Sequence, residues 1–166
     1  MKHLSYILIS ALMLLSACTE SVDNAARQDQ LPKIFPDYIG VTIPENIAPM
    51  NFCVDDNIEK IDVTVRGSNG GEMHVQDDYA DFDIDEWHSI VSQNKSGKLT
   101  FSVCVKKGGQ WLRYNDFTMT VSQYDMPDYA LTYRRITPGY EVYSKMGLYE
   151  RRLDNFDERA LIENTQ

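Results

Sequence analysis

The sequence predicts an all-β protein: an antiparallel β-sandwich over residues 35–124 with one short crossover helix, followed by an irregular, tyrosine-rich C-terminal extension over 125–166. Three observations lead there. Apolar residues recur with a period of two through most of the chain, which puts one face of each segment in a core and the other in water. Asn-Gly and Gly-Gly pairs separate those segments and supply the positive φ that tight hairpins need. Only one stretch follows a helical period instead. With 43% hydrophobic and 11% aromatic residues, the 166-residue chain has apolar surface enough for one domain with accessories.

The chain opens with "MKHLSYILISALMLLSA", in which Lys2 and His3 precede an apolar run from Leu4 to Ala17. A spanning helix needs about 20 apolar residues, so residues 1–17 read as a secretory signal peptide. Leu15, Ser16, Ala17 and Cys18 resemble a bacterial lipobox, where small residues fit a signal peptidase and the cysteine thiolate takes a diacylglycerol. Cys18 is therefore the expected lipidation site and the expected membrane contact. Thr19 stands where an aspartate would alter sorting, so by resemblance to enteric lipoproteins the destination is the outer membrane. Glu20 and Asp23 are a weaker cue for its surface face over its periplasmic one. Residues 18–34 are polar, lack a periodic apolar face, and read as a lipid-anchored tether.

The strand pattern starts at Ile39, Val41 and Ile43 and continues through Phe52 and Val54, then Ile61, Val63 and Val65, then Met73 and Val75. It resumes at Phe82 and Ile84, at Leu99, Phe101, Val103 and Val105, and at Phe117, Met119 and Val121. Asn69-Gly70 and Gly108-Gly109 mark two hairpins. "DEWHSIVSQNKSG" breaks the pattern: Asp85 is the expected N-cap, Trp87, Ile90 and Val91 share one helical face, and Gly97 lies beyond the end. Trp87 is expected to plug one end of the sandwich. Alternation points Cys53 and Cys104 away from the core face, which favours two free thiols over an inter-sheet bridge.

From Asp125 onward the pattern changes. Six of the ten tyrosines fall between Tyr124 and Tyr149, interrupted by Pro127, Pro138 and Gly139. Aromatic density of this kind needs a surface to pack on. Tyr133, Arg134, Arg135, Tyr140, Tyr143, Arg151 and Arg152 are accordingly the expected ligand-binding or domain-interface residues. The same tail holds eight acidic residues, so ion pairing within the surface accounts for much of the basic charge.

Other chemistries find little support. The net charge of −9 opposes nucleic-acid binding, there being no segregated basic patch. Asp81, Asp83 and Asp85 alternate as in a calcium loop, but Glu86 stands at the glycine position and Ser92 at the bidentate-glutamate position. A charged edge strand with Phe82 and Ile84 turned inward explains the same letters. His74 and His88 lie on separate elements with no second ligand at helical spacing, so no metal site is expected. No nucleophile, acid and base set emerges, so no catalytic residues are expected.

Three stretches carry a family resemblance: "IPENIAPMNF" at 43–52, "YRRITPGYEVYSKMGLYERRL" at 133–153 and "FDERALIENTQ" at 156–166. They resemble the N-terminal part of TolB-like bacterial lipoproteins, in which an Ig-like sandwich precedes a c-type haem segment and a propeller of Pro-Asp repeats. The resemblance implies that residues 125–166 form a junction to a further domain and that the chain is the front of a longer protein. Haem in that family is held by a Cys-x-x-Cys-His motif, which this chain lacks, so no cofactor is expected here. The expected function is that of a non-catalytic, outer-membrane lipoprotein module with a scaffolding role. Its partner would be a protein or neighbouring domain, met through the C-terminal extension. A glycan or small-ligand binder is the first alternative, and part of a periplasmic haem redox protein the second.

Overall fold

The computed structural model describes residues 20–54, 57–126, 130–136 and 146–164. Among these the protein is all-β with a single helix, arranged as a sandwich-like core plus a separate C-terminal sheet.

The main sheet is built on β5 (Lys60–Gly67), β6 (Glu72–Asp77), β7 (Lys98–Lys107), β8 (Gln110–Arg113) and β9 (Phe117–Val121). β7 is its spine: β5 pairs antiparallel along one side, and β9 and then β8 pair antiparallel along the other. Alternation sends Ile61, Val63, Val65, Leu99, Phe101, Val103 and Val105 to one face, where each is completely buried. Gly70, Gly71, Gly108 and Gly109 take positive φ at the two predicted hairpins, a conformation in which a Cβ would be strained.

Two short strands extend the sheet in parallel rather than antiparallel fashion: β1 (Ala26–Arg27) along β8, and β3 (Thr42–Ile43) along β9. The second layer is smaller. It comprises β2 (Ile34–Phe35) paired with β4 (Cys53–Val54), a bridge between Phe52 and Ala80, and helix α1 (Ile84–Gln93) over β5 and β6. Between the layers, Phe52, Phe82, Phe101 and Phe117 meet edge-to-face or stacked, with Phe101 and Phe117 4.8 Å apart.

Several expectations change on inspection. The cap of α1 is Asp83 and not Asp85: its Oδ1 accepts from the backbone N–H groups of Asp85 and Glu86, both at 3.0 Å. The helix therefore starts at Ile84. Asp81 and Asp83 are outside any strand, and Phe82 reaches the core by stacking on Trp87 instead of alternating along an edge.

Residues 20–34, read as a tether, lie along the sheet. Glu20 exchanges two 2.8 Å backbone bonds with the Gln76 amide, and its carboxylate bridges Lys60 at 3.2 Å and Lys106 at 2.6 Å. No apolar period announced this segment because polar groups and two-residue strands hold it in place.

The C-terminal extension is regular where it is described. β10 (Ala130–Ile136), β11 (Met146–Arg152) and β12 (Glu158–Asn164) form an antiparallel three-stranded sheet. Both its faces carry charge and neither is deeply buried, so the period-two signal that depends on one dry face is missing.

Candidate functional site

The C-terminal sheet holds the described residues singled out for binding. Its strand register decides which of them act together: Tyr133 lies opposite Tyr149, Arg135 opposite Gly147 and Leu131 opposite Arg151. Since side chains alternate, Tyr133, Arg135, Tyr149 and Arg151 share one face, while Arg134 and Arg152 project from the other. Each adjacent arginine pair in the sequence is thereby divided between two surfaces.

The first face is a cation-and-aromatic network. Tyr133 and Tyr149 stack at 6.2 Å, the Arg135 guanidinium sits 5.7 Å over the Tyr149 ring, and that of Arg151 sits 5.6 Å over Phe156. Gly147 makes room for this, because a Cβ there would stand 2.6 Å from a Tyr149 ring carbon. Carboxylates take the polar ends. Glu158 accepts from the Tyr133 hydroxyl and pairs with Arg135 at 3.3 Å, and Glu163 accepts from the Tyr149 hydroxyl at 2.6 Å. That last bond holds the Tyr149 phenol above its ordinary range, since ionising it beside a carboxylate is unfavourable.

The second face is more apolar. Met146, Leu148 and Ile162 line a shallow cleft with Arg134 and Asn164, and the Arg134 guanidinium lies 2.9 Å from the Met146 sulfur. On this face Ile136, opposite Met146, and Ile162, opposite Leu148, are 60% and 64% exposed.

The sheet meets the sandwich at the β11–β12 turn. The Leu153 carbonyl accepts from the Ala48 N–H at 2.8 Å, and Asp154 closes a cleft of about 530 Å³ with Glu45, Asn46, Asp85, His88, Ser89 and Ser92. The Arg152 guanidinium holds the Asp154 carboxyl below its usual range. Asn46 clamps the exit from β9 by exchanging hydrogen bonds with the Met126 backbone at 2.8 and 2.9 Å.

On the opposite face of the main sheet, buried Asp62 accepts from His74 Nε2 and from Gln76 Nε2, each at 2.8 Å. Cys104 pairs with Asp62 in the ladder, and burial together with that carboxylate pushes its thiol up to about 11. Cys53 and Cys104 are both free. Among the described residues the two cysteines and two histidines stand on four different elements, and the sequence has no Cys-x-x-Cys-His run, so these residues do not fit a c-type haem. Among the described residues no group of three His, Cys, Asp or Glu side chains is placed to hold a metal ion.

Cys18, Leu15, Ser16, Ala17, Tyr140 and Tyr143 lie outside the described residues. Sequence reasoning passed over Tyr149, although Tyr133-x-Arg135 and Tyr149-x-Arg151 repeat one spacing that suits facing strands. It also passed over Asn46 and Asp62, whose roles depend on distant partners. No protein-family model matches the chain, and a search of curated proteins finds no match to it.

Proposed function

We propose that this protein is a non-catalytic lipoprotein module of the outer membrane, anchored through Cys18, whose C-terminal sheet binds a protein partner or a neighbouring domain. The observation that carries the proposal is the exposure of that sheet: every residue of β12 is exposed, and the face around Leu148 and Ile162 is apolar. Uncovered apolar surface of this kind marks interaction sites. The resemblance to TolB-like lipoproteins supports the same role, as the front part of a larger envelope protein.

The anchor and the fold would be close together. Glu20, pinned to Lys60, Gln76 and Lys106, is two residues from Cys18, a reach of about 7 Å. A lipid on Cys18 would therefore hold the sandwich at the membrane surface. Glycan binding has less support, because the Tyr133 and Tyr149 hydroxyls that a sugar would use are already engaged by Glu158 and Glu163.

Two measurements test the reading. Cys18→Ala should move the protein from the membrane to the soluble fraction of cells, and retention in the membrane defeats the anchoring. A photo-cross-linking amino acid at Ile162 should give a protein adduct in cells, whereas the same probe at exposed Thr118 should not. Absence of any adduct at Ile162 defeats the interaction role.

A further inference from the structure

We propose that Arg27 and Arg113 form a binding site for a phosphate group, carried by a soluble phosphoester or by a lipid headgroup. The site lies at the edge of the main sheet and is independent of the C-terminal surface.

The two arginines are paired in register where β1 runs parallel to β8. Neighbouring strands stand about 4.8 Å apart and paired residues turn to the same face, so the two cationic side chains leave the sheet side by side. Like charges set opposite each other in this way destabilise a sheet. Backbone bonds keep the pair together: the Gln28 N–H donates to the Arg113 carbonyl at 2.8 Å, and the Asn115 N–H donates to the Gln30 carbonyl at 2.9 Å. The chain has 25 acidic residues against 16 basic ones, so carboxylates are in excess. Arg66, Arg135, Arg152 and Arg159 each have one. Arg27 has none, and among the described residues its side chain makes no ion pair, hydrogen bond or ring contact. The Arg113 guanidinium meets Asp116 through a single nitrogen at 3.4 Å.

Both arginines line one cleft of about 230 Å³, together with Gln28, Asn115 and Asp116. An anion in that cleft relieves the repulsion that the register imposes. Two guanidinium forks offer more N–H donors than the two oxygens of one carboxylate can take, whereas a phosphate monoester presents three acceptor oxygens. Phosphate is therefore the better match. Asp116 is its competitor, because the carboxylate already in the cleft must turn away from Arg113 when the ligand enters.

Calorimetric titration with inorganic phosphate at constant ionic strength tests the site, in the Cys18→Ala protein so that a lipid on Cys18 plays no part. Saturable binding is expected, weakened on the order of tenfold or more by Arg27→Gln and by Arg113→Gln. Asp116→Asn should instead tighten it on the order of threefold, since the competing carboxylate is gone. Arg66→Gln removes a guanidinium paired with Glu72 elsewhere on the sheet and should leave binding unchanged. Phosphate should also raise the urea midpoint of the parent but not that of Arg27→Gln. No saturable binding, unaltered binding in Arg27→Gln, or equal weakening by Arg66→Gln overturns the proposal. Cosedimentation with phosphatidylcholine vesicles, with and without phosphatidic acid, names the source of the phosphate. Retention that needs both phosphatidic acid and Arg27 assigns a lipid headgroup, and saturable phosphate binding without retention assigns a soluble phosphoester.

Discussion

Trp87 stacks on Phe82 with ring centroids 5.4 Å apart, and its indole N–H donates to the Ile47 carbonyl at 3.1 Å. The residue is fully buried and joins α1, the 45–48 loop and the phenylalanine cluster. Trp87→Ala should therefore cost about 3–5 kcal/mol. Trp87→Phe should cost less but still leave the Ile47 carbonyl without its donor. Urea melts of the three proteins check the order, and an unchanged midpoint for Trp87→Ala removes Trp87 from the core.

Asn94 ties the end of α1 to the β5–β6 hairpin. Its Nδ2 donates to the carbonyls of Ile90 and Gly70 at 2.7 and 2.9 Å, and its Oδ1 accepts from the Asn69 N–H at 2.7 Å. Asn94→Ala should destabilise by about 2–4 kcal/mol, because several of these backbone groups lose their partner. Gly67→Ala should do comparable damage, since a Cβ there would stand 2.0 Å from Asn94 Nδ2 and 2.3 Å from the Gly70 carbonyl oxygen. If Gly67→Ala melts like the parent, the close approach is not required.

Glu20 holds the N-terminal segment to the sheet as a carboxylate. Hydrogen bonds from Lys106 and Lys60 lower its pKa in the folded protein. A depressed carboxylate stabilises above its unfolded pKa, near about 4.3, and that contribution disappears as pH falls through the folded value. Protease cleavage within residues 20–28 should thus be slow at neutral pH and rise below about pH 4. Glu20→Gln should cleave readily at both. A pH-independent rate in the parent would mean that the backbone bonds to Gln76 suffice.

The two thiols should differ in reactivity. Cys104 is buried with its pKa raised to about 11, whereas Cys53 is exposed. Iodoacetamide at pH 8 should alkylate Cys53 in the native protein and reach Cys104 only after denaturation. Mass mapping of the native sample decides it, and early labelling of Cys104 would show that β7 opens locally.

Tyr149 and Gly147 test the C-terminal face. Gly147→Ala should displace the Tyr149 ring, breaking its stack on Tyr133 and its contact with Arg135, while the sandwich stays intact. The expected readout is a changed near-ultraviolet tyrosine signal with an unchanged main unfolding transition. A shift of that main transition instead would mean that the two parts unfold together.

Sequence alone determined the strands that bury one face. Ile61, Val63 and Val65 or Phe101, Val103 and Val105 announce themselves because alternation is a property of neighbouring residues, and so do the glycines that must take positive φ. Tertiary structure decided everything that depends on a distant partner. It chose Asp83 over Asp85 as the cap and laid residues 20–34 along the sheet through Glu20. It also made strands of residues 130–136, 146–152 and 158–164, whose two faces are both wet and so leave no hydrophobic period to read. The tyrosines and arginines of the candidate surface were visible as a composition. Their division, with Arg135 and Arg151 on one face and Arg134 and Arg152 on the other, appeared only with the register, because hydrogen bonding between strands fixes which residues face each other.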